Sequence, residues 1–96
     1  FKMGTSQEFI SSRLVGSGLF TPGGALVYNS EITGSTATQA MEVTSVAQMN
    51  NVVGCTFSNN NRAIRITTAG TYTFDRLTFS GNTYDVENAS TGLVTI

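Results

Sequence analysis

The sequence predicts an all-β fold: a short β-solenoid of three to four parallel coils, repeating about every 22 residues over a chain of 96. Composition is the first observation. Fifteen Thr, ten Ser, ten Gly and eight Asn stand against one Pro, and Thr, Val, Ile, Phe and Tyr fall in short alternating runs that read as strands rather than helices. The second is an internal copy. Cys55-Thr56-Phe57-Ser58-Asn59-Asn60 lies over Leu77-Thr78-Phe79-Ser80-Gly81-Asn82, and the same spacing carries Ile64 onto Val86, Gly70 onto Gly92, Tyr72 onto Val94 and Phe74 onto Ile96. A third, weaker copy lies one step earlier, with Ile32-Thr33-Gly34-Ser35 under Cys55-Thr56-Phe57-Ser58 and Ala40-Met41-Glu42-Val43 under Ala63-Ile64-Arg65-Ile66.

Taken in order, residues 1–25 carry the apolar pairs Phe9-Ile10, Leu14-Val15 and Leu19-Phe20, and they end at the turn signal Thr21-Pro22-Gly23-Gly24. This stretch reads as a cap, a linker strand or an imperfect coil. A cap is attractive because an open coil end is an unpaired sheet edge. Residues 26–96 read as the coils proper. Leu26 and Tyr28 are expected under Met49 and whichever of Asn51 and Val52 points inward.

Stacked coils set equivalent residues about 4.8 Å apart, so the alignment is also a contact prediction. The expected inward columns are Ile32/Cys55/Leu77, Gly34/Phe57/Phe79, Met41/Ile64/Val86, Met49/Tyr72/Val94 and Phe74/Ile96. Val43/Ile66/Asn88 makes a weaker one that ends on a polar residue. Cys55 takes an apolar place, as a small buried residue does.

Composition also excludes functions. A net charge of −1, with five Lys+Arg dispersed along the chain, leaves no footprint for a nucleic-acid backbone. No run approaches the roughly 18 apolar residues of a membrane span, and none reads as a signal peptide. Zero His and one Cys remove a zinc site, Ser-His-Asp chemistry and an internal disulfide; no metal and no cofactor is expected. A start at Phe1 suggests a processed product or a segment of something longer.

At Cys55–Asn60 and Leu77–Asn82 the chain resembles the coils of right-handed parallel β-helix proteins, the pectate-lyase-like superfamily, over roughly Leu26 to Ile96. The resemblance implies a right-handed coil and an Asn ladder at the corner. Asn60 over Asn82 supplies two rungs, with Ala37 in that place one coil below. That superfamily includes polysaccharide lyases and hydrolases, bacterial surface adhesins, and phage tailspikes, fibres and other virion proteins. The charge-poor texture rich in Ser, Thr, Asn and Gly is most like the phage and surface-protein branch.

Candidate chemistry is sparse. Asp85 and Glu87, two apart on one strand with Val86 inward, are the best carboxylate pair for glycoside chemistry. The repeat offers a structural role instead, because Glu42, Arg65 and Glu87 hold equivalent places in successive coils and form an outward column of alternating charge. Arg62 aligns with Tyr84, a stacking pair able to meet a sugar or another subunit. Asn59-Asn60-Asn61 reads as a corner turn, Asn88-Ala89-Ser90 as an accidental sequon, and Gly16-Ser17-Gly18 as a flexible connection lacking the lysine of a phosphate loop.

The expectation is therefore a non-enzymatic structural component of a virus particle: a phage fibre, spike or capsid-surface protein. Its partners would be further copies of itself and other virion proteins. The alternatives are a domain that binds or depolymerises cell-surface polysaccharide, in the manner of a tailspike enzyme, and a bacterial surface adhesin placed outside the cell.

Overall fold

The computed structural model describes residues 2–4, 6–16, 24–36 and 39–96, and they form a parallel β-solenoid of about four turns with one helical turn. The first coil holds β1 (Glu8–Ile10) and β2 (Arg13–Val15). The second holds β3 (Leu26–Tyr28), β4 (Glu31–Thr33), β5 (Met41–Val43) and the helical turn α1 (Val46–Met49). In the third are β6 (Val52–Val53), β7 (Thr56–Ser58), β8 (Arg62–Ile66) and β9 (Gly70–Thr71). The fourth has β10 (Thr78–Ser80), β11 (Tyr84–Asn88) and β12 (Val94–Thr95). Parallel sheets run along the stack in the orders β1-β3-β6, β2-β4-β7-β10, β5-β8-β11 and β9-β12. A single bridge, Val53 to Asp75, carries the first sheet into the last coil.

Each coil opens with two short extended segments, each followed by one left-handed residue. The left-handed residues are Ser11, Asn29, Gly54 and Arg76 after the first strand, and Gly16, Gly34, Asn59 and Gly81 after the second, all with φ between 48° and 73°. A left-handed residue turns the chain sharply without ending the alternation of faces, which is why Gly and Asn dominate these places. Asn and Gly also interlock. A Cβ added to Gly54 would lie 2.5 Å from Asn29 Oδ1, and one added to Gly81 would lie 2.5 Å from Asn59 Oδ1.

The core is a set of columns. Val27 and Val52 continue the one begun by Phe9, and Ile32, Phe57 and Phe79 the one begun by Leu14. Phe57 and Phe79 stack with ring centroids 5.5 Å apart and planes 15° from parallel. Met41, Ile64 and Val86 form a third column, and Val43, Ile66 and Asn88 a fourth, both as the repeat predicts. In the two middle coils Val27, Val52, Met41, Val43, Phe57, Ile64 and Ile66 are fully buried. Burying each such side chain contributes roughly 1.5–3 kcal/mol, which makes these columns the main favourable term.

Several expected columns are corrected. Ile32 faces Phe57, 25 positions on, rather than Cys55, while Met41 faces Ile64, 23 positions on. The second coil therefore has extra residues at the corner between β4 and β5, where the repeat alignment allowed none. Cys55 consequently lies between Ser30 and Leu77, and Gly34 sits at a corner under Asn59 instead of under Phe57. Ser30 satisfies its buried hydroxyl locally by donating to Tyr28 O at 2.9 Å. Tyr28 faces Val53, so Leu26 falls beside Asn51 rather than Met49, and Val52 is the inward residue.

The last coil also slips. Gly70 faces Val94 rather than Gly92, so Tyr72 comes opposite Ile96 rather than Val94, and Phe74 tops the column of Val52. The extra length lies in Ala89–Leu93, where Asn88 Nδ2 donates to Gly92 O at 3.0 Å and Ser90 N to Asn88 Oδ1 at 3.0 Å. Met49 belongs to α1 and has no strand register, although both it and Tyr72 are buried. In the N-terminal stretch, Phe9 and Leu14 pair in register with Val27 and Ile32, so residues 8–15 follow the coil path. Leu19-Phe20 and Thr21-Pro22-Gly23 lie outside the described residues, as do Ser17, Gly18 and Ala37.

Candidate functional site

The chemistry-bearing side chains gather on the outer face of β5, β8 and β11 and at the corner beside it. Glu42, Arg65 and Glu87 stack in register. Arg65 Nη1 donates to Glu42 Oε2 at 3.4 Å and Arg65 Nε to Glu87 Oε1 at 3.1 Å. Arg62 Nε donates to the other oxygen of Glu87, Oε2, at 2.9 Å, and its guanidinium lies 5.2 Å from the centroid of the Tyr84 ring. Gln39 Nε2 adds a 3.3 Å bond to Glu42 Oε2. The pairs are about two-thirds shielded from solvent, so each contributes at the upper end of the 0.2–1 kcal/mol typical of surface pairs.

This arrangement bears on the two candidate carboxylates. Both oxygens of Glu87 are bound by arginines, which lowers its nucleophilicity. Asp85 turns toward the corner, where its Oδ1 accepts a 3.2 Å bond from Asn82 Nδ2. The two carboxyls thus have separate partners. Among the described residues no group of three or more His, Cys, Asp and Glu stands close enough to hold a metal ion.

At the corner after the second strand the amides form a continuous network. Asn60, almost fully buried, accepts from Ser35 N at 3.0 Å through Oδ1 and donates from Nδ2 to Ile32 O at 3.1 Å and to Asn82 Oδ1 at 3.0 Å. Asn82 Oδ1 also accepts from Asn60 N at 3.0 Å, while its Nδ2 donates to Phe57 O at 2.9 Å. Each amide thus serves two coils, which satisfies the backbone groups that a corner leaves over. Ser35, rather than Ala37, holds the place below Asn60, a consequence of the register set by Ile32 on Phe57.

Beside this network runs a shallow polar groove lined by Ser35, Thr36, Asn59, Asn61, Gly81 and Thr83. Such a lining donates and accepts hydrogen bonds, but it holds no carboxylate, cationic side chain or thiol. Sequence reasoning missed the left-handed columns that build this corner. Their signal was present in the Ser, Asn and Gly residues that stand five apart, at 11 and 16, 29 and 34, 54 and 59.

Compared with known proteins, the chain matches no family description, no curated protein sequence and no solved structure. No helix among the described residues is long and apolar enough to cross a membrane.

Proposed function

We propose that the chain is a non-enzymatic structural component of a virus particle, a phage fibre, spike or capsid-surface protein acting as a homo-oligomer. One observation carries the assembly part of this reading. Among the described residues the exposed large apolar side chains, Ile10, Val15, Tyr84, Leu93 and Ile96, belong to the first and last coils and none to the two middle ones. Exposed apolar surface concentrated in this way marks an interaction site. The virion assignment draws on the resemblance at Cys55–Asn60 and Leu77–Asn82 and on the charge-poor texture, and the arginine-bound state of Glu87 supports the absence of catalysis. The test is the solution mass by light scattering after gel filtration, together with circular dichroism. A β-rich trimer or larger species is expected, and a well-folded monomer at micromolar concentration counts against the reading.

The runner-up is a domain that binds or depolymerises polysaccharide, on a virion or a bacterial surface, and the polar groove over the amide corner favours it. Glycan arrays and release of reducing sugar separate the two readings. Turnover that vanishes in Asp85→Ala and Glu87→Ala chains favours the enzyme.

A further inference from the structure

We draw no further inference here: the strongest candidate, the apolar edge of the last coil around Phe79, Val86, Leu93 and Ile96, carries nothing because nothing in the structure shows what covers it.

Discussion

At the scale of single residues, the corners decide more than the core does. Gly81 is left-handed and has Asn59 Oδ1 where its Cβ would go. Gly81→Ala is therefore expected to lower the unfolding free energy by about 2–3 kcal/mol, combining left-handed strain with the clash. Adding Asn59→Gly should recover the clash part but not the strain, and a double-mutant cycle on urea midpoints measures that coupling. Arg76 presents the opposite case, a long side chain at φ 53° whose ion pair with Asp75 is largely solvent-exposed. Arg76→Asn relieves strain at little cost, and a gain of about 0.5–1 kcal/mol in thermal or urea unfolding is expected. Cys55 and Tyr72 add a pH dependence. Burial raises the Cys55 thiol above its usual 9.0, against a smaller opposing effect of backbone hydrogen bonds, and burial also raises the Tyr72 hydroxyl above its usual 10.0. Because both groups keep their protons longer in the folded chain, the stability they contribute is full below the ordinary values and is lost as pH rises through them. The urea midpoint should therefore fall from about pH 9 upward. In Cys55→Ala that decline should begin about one unit later, with Tyr72 alone.

At the scale of elements, the strands were legible where the repeat was uninterrupted. Met41, Ile64 and Val86 pair as the sequence alignment places them, and so do Glu42, Arg65 and Glu87. In the candidate site, Asn60 and Asn82 could be aligned from sequence, but not their alternation between backbone carbonyls and each other, which depends on rotamers set by the corner. The register of β4 and β12 was not legible, because extra residues lie in polar corners where composition carries no phase. A shift by an even number keeps the inward pattern, so hydrophobic alternation fits both placements of Ile32 equally well. The buried member of the amide network is also where an element breaks most easily. Asn60→Ala leaves Ser35 N and Ile32 O without their partner in a dry corner, an expected loss of about 2–4 kcal/mol. Asn60→Asp should not rescue it, since the carboxylate keeps the acceptor for Ser35 N but then faces Ile32 O and Asn82 Oδ1 without donors.

At the scale of the whole molecule, stability is a sum over coils and their interfaces, and the terminal coils each have only one neighbour. The column of Met41, Ile64 and Val86 makes this measurable, because Ile64 has a coil on both sides and Val86 on one. Ile64→Ala removes side-chain volume from a sealed interior, and the expected loss is about 2–5 kcal/mol at any protein concentration. Val86→Ala removes it from a side chain still partly in water, so for a dilute chain the loss should be well under half of that. Raising the concentration discriminates further. Association that covers the last coil, as the oligomeric reading expects, would enclose Val86 as well, and the two substitutions should then converge. The unfolding midpoint of the wild-type chain should also rise with concentration by mass action. Equal losses for the two substitutions in a dilute monomer would mean that the last coil is already as enclosed as the middle ones. A concentration-independent gap between them would mean that the end of the solenoid stays open to water.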